Sequence, residues 1–405
     1  ASQLASNLYL GGAGSSLTVG EKTLLHGGTI AGDVLFAQGG TVDLADTQDL
    51  HTDGIKNADN LVWLKNDNET DAQTIYTLAP AGENTGSYAA RMGNDKYFSI
   101  NQAIKAMEAA DAEDAETNTT IHLLRDQTED VTINNTKHSP TLNLNGYTLT
   151  GKITLTNNQN TNAFTLTDET ADDYKAGSTG GVLTGPANGI EMNNGTKSAH
   201  NKLILTGKTL TLTSMYRGVN AGSYADITVD GLTFTRMTNA GIYTNGNCNI
   251  QVSNATFTQN TGNSIVAYNN NNIVTVESTE IYDNKIGGNG MIFVDYNSTL
   301  TIEDGSFHDN TSSGNGGIVH GYRYGNKITI NGGEYYNNKA AHGGAIYMSQ
   351  NGTLTINGGS FHDNTAITNG GAIVACNQTS GNHITTLTIT GGEFYNNTAV
   401  NGGAV

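Results

Sequence analysis

Several things are scarce in this sequence. Three prolines in 405 residues exclude a Pro-rich linker, and without them 51 glycines do not make a collagen-like chain. Charged residues are 14% of the total, far below the usual quarter. Only 19 are basic against 37 acidic, a net charge of −18. Nucleic-acid binding needs a basic stripe that releases phosphate counterions, and none is present. No apolar run reaches the length of about 18 residues that a membrane-spanning helix needs. The two cysteines, Cys248 and Cys376, lie five repeat units apart. At a strand spacing of about 4.8 Å that is roughly 24 Å, beyond the ~7 Å Cα separation a disulfide tolerates. Two free thiols are expected, so the cysteines do not reveal the redox compartment. No signal peptide heads the chain, and a start at Ala1 fits a mature secreted protein or a trimmed one.

What is abundant is Gly, Asn and Thr, arranged in a repeat. The stretch Thr353 to Ile373, TLTINGGSFHDNTAITNGGAI, holds an aliphatic–Thr–aliphatic strand, a Gly-Gly turn, an aromatic with Asn three places on, and Gly-Gly-Ala-aliphatic. The first element recurs at Ile227, Ile250, Val274, Leu300, Ile328, Leu354 and Leu387. Seven residues after each comes Phe234, Phe257, Ile281, Phe307, Tyr335, Phe361 or Phe394. Asn follows at 260, 284, 310, 338, 364 and 397. Such a period reads as a stacked repeat. A leucine-rich repeat would need Leu-x-x-Leu-x-Leu and a helical return, and neither is visible.

Three segments are expected. Residues 1–95 carry short apolar runs between turns, including Gly27 to Ile30, Val34 to Phe36, Gly39 to Leu44, Leu61 to Leu64 and Thr74 to Leu78, the last halted by Pro80. They read as an irregular β domain or β-solenoid segment, with an acidic loop at Asn66 to Ala72. Residues 96–119 hold one amphipathic helix and a linker. Ser99 and Gln102 form a capping box, Ile100, Ala103, Ile104 and Met107 share one face, and Asp111 to Glu116 dilutes its end. A lone helix before a repeat array reads as its cap. Residues 120–405 read as a right-handed parallel β-helix with three short strands per coil. Stacked coils satisfy each other's backbone polar groups, and alternation sends aliphatics inward and Thr outward. The chain stops at Gly402-Gly-Ala-Val405 in mid-unit, so continuation of the helix or self-association through an uncapped coil is expected.

The repeat places residues in two classes. Phe257, Asn260, Phe307, Asn310, Tyr335, Asn338, Phe361, Asn364, Phe394 and Asn397 form structural ladders, with Asn hydrogen-bonding along the stack and tolerating a left-handed backbone. The next residue after each aromatic points outward, giving Tyr282, His308, Tyr336, His362 and Tyr395, a strip that could stack sugar rings or dock a partner. Asp283, Asp309, Asn337, Asp363 and Asn396 follow it and offer at most weak Ca²⁺ binding. His308 and His362 are two coils, about 9.6 Å, apart, too far to share a metal. No cofactor is expected.

Phe-x-x-Asn paired with Gly-Gly-Ala-Ile resembles the repeat of the chlamydial polymorphic membrane proteins and related bacterial surface proteins, over about Ile250 to Val405. Thr120 to Gly151 is also similar to β-helical surface proteins of other bacteria. The resemblance implies a right-handed parallel β-helix displayed outside the cell as an adhesin or stalk. Its partners would be a host or neighbouring-cell surface, through a glycan or protein receptor. Two other classes compete. A polysaccharide lyase or hydrolase needs a base or paired carboxylates in one site. The arginines at 91, 125, 217, 236 and 323 are scattered, and Asp172-Asp173 lies in the polar insertion Asp168 to Gly181. A non-enzymatic scaffold is therefore expected. The Thr-x-Thr pairs at 299/301, 353/355 and 386/388 resemble ice-binding solenoids, but Ile273 and Lys327 break the array.

Overall fold

A strand of three residues cannot bury a face alone, and each coil consists of such strands. The computed structural model describes residues 88–405 except 98, 110–118, 135–137, 157–161, 172–173 and 377–383. In the first 87 residues it describes strands at 9–10, 16–18, 34–36, 41–45, 55–57, 61–65 and 73–80. Contacts divide the chain into two units, Ala1–Ala103 and Ile104–Val405, with the division inside the helix.

In the first unit, Tyr9–Leu10, Val34–Phe36 and Ile55–Asn57 pair in parallel, as do Ser16–Thr18 and Thr41–Ala45. Gln73–Pro80 lies antiparallel between Thr41–Ala45 and Leu61–Lys65. This strand includes Pro80, which pairs with Leu61 as its last residue, so the proline ends the strand from within it. The run Gly27 to Ile30 and the loop Asn66 to Ala72 lie outside the described residues. So does Asp111 to Glu116.

The helix runs Ile100–Ala109, and the Gln102 amide donates to Ser99 Oγ at 3.0 Å, the N-terminal half of the expected box. Ile100, Ala103, Ile104 and Met107 are buried while Lys105 is exposed. Each large side chain on that face contributes about 1.5–3 kcal/mol by burial.

The second unit is a parallel β-solenoid. Its first sheet runs coil by coil from Thr120–Leu123 to Thr386–Ile389, and every register pair is parallel. Ile227, Ile250, Val274, Leu300, Ile328, Leu354 and Leu387 are register partners in sequence. An 11-stranded second sheet carries the aromatic column, and a 10-stranded third sheet carries Ile292, Val319, Ile346 and Ile373. In Leu354-Thr355-Ile356 of the first sheet both aliphatics are fully buried and the Thr is half-exposed, as period-two alternation requires.

Inside, the aromatic column stacks face to face. Phe234 lies 4.7 Å from Phe257, Tyr335 lies 4.5 Å from Phe361, and Phe361 lies 4.9 Å from Phe394, all within 6° of parallel. The parallel ladder fixes ring spacing at the coil spacing, so offset stacking comes with the register. Ile281 interrupts the column. Tyr335 is wholly buried; its hydroxyl donates to the Gly332 carbonyl, and burial holds its pKa well above the ordinary value.

The Asn ladder forms as expected. Asn260, Asn284, Asn310, Asn338 and Asn364 each donate Nδ2 to Oδ1 of the next, ending at Asn397, at 2.9–3.1 Å. The same Oδ1 atoms accept the preceding Asn backbone N–H. The left-handed residue, however, is the one before each Asn. Asp283, Asp309, Asn337, Asp363 and Asn396 have φ of 53–56°. The ladder Asn keeps an ordinary backbone because its side chain already closes the bend, and the sharp turn falls one position earlier.

The expectation of three strands per coil is corrected for four coils. Lys285–Ile286, Thr311–Ser312, Lys339–His342 and Thr365–Asn369 form a 4-stranded sheet of their own between the Asn corner and the Gly-Gly turn. In the Gly-Gly turn, Gly343 is left-handed (φ 63°), and a Cβ on Gly344 would sit 2.1 Å from the Gly371 carbonyl oxygen. The first glycine supplies conformation and the second supplies clearance.

Candidate functional site

The second sheet places all five outward candidates in one column. Tyr282, His308, Tyr336, His362 and Tyr395 are successive register partners. Their ring centroids are 5.3, 4.6, 5.2 and 4.7 Å apart and their planes agree within 8°. This is a continuous Tyr–His–Tyr–His–Tyr stack on the outer surface. Tyr395 is 45% exposed, and the other four are half-buried.

That geometry corrects the expected mode of contact. Between coils the ring faces are covered by neighbouring rings, so they do not stack sugars along the column. Solvent meets ring edges, namely Tyr hydroxyls and imidazole nitrogens. His308 Nδ1 lies 2.7 Å from Asp309 Oδ2, and His362 Nδ1 lies 2.8 Å from Asp363 Oδ2. A carboxylate on Nδ1 fixes each ring with Nε2 on the opposite edge. These pairs also occupy two members of the Asp/Asn column considered for Ca²⁺. Among the described residues no group of three or more His, Cys, Asp or Glu side chains is placed to hold a metal ion.

The flanking columns alternate. Two residues before each ring stand Glu280, Ser306, Glu334, Ser360 and Glu393. Three residues after the rings, Lys285, Thr311, Lys339, Thr365 and Thr398 face one another. Coils of the Glu-x-Tyr kind therefore alternate with coils of the Ser-x-His kind. Elementary electrostatics accounts for this. Like charges directly opposite in adjacent strands destabilise a sheet. Skipping a coil puts the Glu side chains about 9.6 Å apart, near the ~8 Å screening length.

Before Tyr282 the column changes character. Thr128, Thr150, Thr184, Thr213, Thr235 and Thr258 occupy the same outward position. This run is longer than the Thr pairs expected on the first sheet, where Ile273, Thr299, Lys327, Thr353 and Thr386 share a column. Its signal was present as Thr-Leu-Thr and Thr-Phe-Thr at 148–150, 211–213, 233–235 and 256–258.

Three polar clusters were not legible in the sequence. On the third sheet Glu191, Asn220 and Tyr243 share a column. Asn188 and Asn220 each donate to one Glu191 oxygen at 2.7 Å, and the Arg217 guanidinium lies 3.5 Å over the Tyr243 ring while its Nε donates to Asn239. At a corner, Arg323 Nη1 donates to the fully buried Asp295 at 3.1 Å, with Tyr296 and Tyr322 rings 4.9 Å from the guanidinium. Burial pushes the Asp295 carboxyl above its usual pKa despite the opposing pull of Arg323. Both arginines are thus held in structural pairs.

The third is His320, also outward on the third sheet yet only 2% exposed. Phe293, Tyr322 and Tyr347 surround its ring, with centroids 5.2–5.5 Å away and planes at 62–88°. Neither ring nitrogen has a hydrogen-bond partner, and burial pushes its pKa down to about 4. The Gly290 backbone approaches the backbone N and Cβ of His320 closely.

The polar insertion is pinned by a buried carboxylate. Asp168 accepts from the Gly146 and Gly181 amides at 2.7 Å, Tyr174 Oη at 2.9 Å and Thr209 Oγ1 at 2.6 Å. Asp172 and Asp173 lie outside the described residues.

Both cysteines are free, as expected; Cys248 is buried and Cys376 partly exposed. No helix among the described residues is long and apolar enough to cross a membrane. Compared with protein-family models, curated proteins and solved structures, the chain finds no match in any of the three.

Proposed function

We propose that this chain is an attachment scaffold, an adhesin or structural stalk of a bacterial cell-surface or secreted protein that presents a periodic face to a glycan or protein receptor. The observation that carries this reading is the edge-on Tyr282–His308–Tyr336–His362–Tyr395 stack. It offers one hydrogen-bonding edge per coil along a straight line. Packing alone does not call for it, because a Thr fills the same position in six earlier coils. A one-dimensional array suits a polymer or a repetitive receptor better than a small molecule. The bacterial and extracellular setting rests on the Phe-x-x-Asn and Gly-Gly-Ala-Ile resemblance.

The test is a glycan-array and cell-binding screen of the purified chain beside a Tyr336→Ser/Tyr395→Ser double variant. Binding that disappears in the variant, with the β-sheet circular dichroism retained, supports the reading. Equal binding by both proteins removes the strip as the site. Turnover of any polysaccharide places the protein among the enzymes instead.

A further inference from the structure

The columns beside the ring stack narrow the chemistry of what the strip takes. Glu280, Glu334 and Glu393 are exposed and occur in every second coil. Asp283, Asp309 and Asp363 stand exposed on the other side of the rings. Lys285 and Lys339 stand exposed beyond the Asp/Asn column, in the coils of Glu280 and Glu334, while no Lys or Arg occupies the Glu/Ser, ring or Asp/Asn columns themselves. A polyanion laid along the rings meets six exposed carboxylates against two lysines at one margin, a net repulsion, whereas an amine-bearing chain on the Glu side meets complementary charge.

Spacing then separates the amine-bearing chains. The glutamates recur at about 9.6 Å, two coil spacings. An extended peptide turns every second side chain the same way, about 6.8 Å apart, and falls out of step after one contact. A β-1,4-linked sugar chain also turns the same edge to one side at every second residue, but with a longer stride. Its ring hydroxyls suit an array of Tyr hydroxyls and imidazole edges.

We infer that the strip binds a linear β-1,4-linked amino-sugar polymer along the solenoid axis. Its free amines meet Glu280, Glu334 and Glu393, and its hydroxyls meet the ring edges of Tyr282 through Tyr395. This rests on the attachment reading above.

The experiment compares glucosamine oligomers with N-acetylated oligomers of equal length, by calorimetry on the full chain and on an E280Q/E334Q/E393Q variant. All three glutamates are exposed, so the variant keeps the fold. The expected result is an affinity for the deacetylated oligomer about tenfold higher, the yield of three exposed charge pairs, shrinking as salt rises. The variant should lose that preference. Equal affinity for both oligomers, or a preference that survives in the variant, overturns the inference and leaves the attachment reading standing. Polylysine that loses as much affinity as the glucosamine oligomer in the variant also overturns it, since the strip would then be a general acidic face. Failure of both oligomers to bind overturns the inference, and the attachment reading then falls only if the cell-binding screen is negative as well.

Discussion

His320 should make this solenoid acid-sensitive at one defined place. Its ring is almost fully buried among Phe293, Tyr322 and Tyr347, and its nitrogens have no partner to share a proton with. The groups around it are rings, and burial is the one cause of its shift. Burial therefore sets the pKa, moving it from the ordinary 6.5 down to about 4. The unfolded chain takes up the proton first. Stability is full above about pH 6.5, falls as pH drops through the window from about 6.5 to about 4, and levels off below it. At 1.36 kcal/mol per pKa unit the loss amounts to about 3 kcal/mol.

Solenoids respond locally, so the loss should concentrate in the coils carrying Phe293, His320 and Tyr347. Amide exchange across those coils, with urea midpoints, measured from about pH 7.5 to about pH 4, reads it. His320→Leu is the matching control, since it keeps an apolar ring-sized group and has nothing to protonate. Carboxylates titrate in both proteins and cancel in the difference. The wild type should lose about 3 kcal/mol more than the variant across the window. Parallel pH profiles for the two proteins would refute the reasoning, as would an imidazole that titrates near its ordinary value in the folded protein.

Three further outcomes follow from the same structure. Asn310→Ala removes donors to the Ile281 and His308 carbonyls and the acceptor of the Asn284 amide, all in the buried ladder; unsatisfied groups there cost about 1–3 kcal/mol each, so chemical denaturation should show a loss of roughly 3–5 kcal/mol. Asp168→Asn turns an amide toward donors that now converge on a carboxylate, and a loss of about 2–3 kcal/mol with faster proteolysis of Glu169 to Gly181 is expected; an unchanged cleavage rate would contradict the pinning role. A thiol reagent should label Cys376 well before Cys248, whose thiol is buried and has its pKa pushed up by that burial; equal rates would contradict the packing around Cys248.

Much of the solenoid could be read from the chain because its core is one-dimensional. The column from Ile227 to Leu387, the aromatic column and the six-Asn ladder need only a repeat offset and the period of two. The outward placement of Tyr282 to Tyr395 followed from the same rule. What did not follow was anything set by the third dimension. The ring planes of that strip depend on the coil above and below, so the covering of their faces was invisible. Asp168 is a pin only because Gly146 and Thr209 approach it from neighbouring turns. His320 obeys the outward pattern, yet is buried by residues that pack over the sheet. The left-handed corner at Asp283 and Asp309 was misplaced by one residue, since Asn is competent for both the turn and the ladder and composition does not separate the two.

The alternation of Glu-x-Tyr and Ser-x-His coils sets a rule for how such a chain can lengthen or shorten. Its interior is indifferent to the loss of one turn between Phe307 and Phe394, because each of these turns presents the same Asn and a similar ring to the next. Its exterior is not. Excising the turn that contains Ser306 and His308 would bring Glu280 against Glu334 and Lys285 against Lys339, while excising two consecutive turns restores every neighbour. The heritable module of this surface is thus a pair of turns, and duplications or deletions tolerated in this region should come in even numbers.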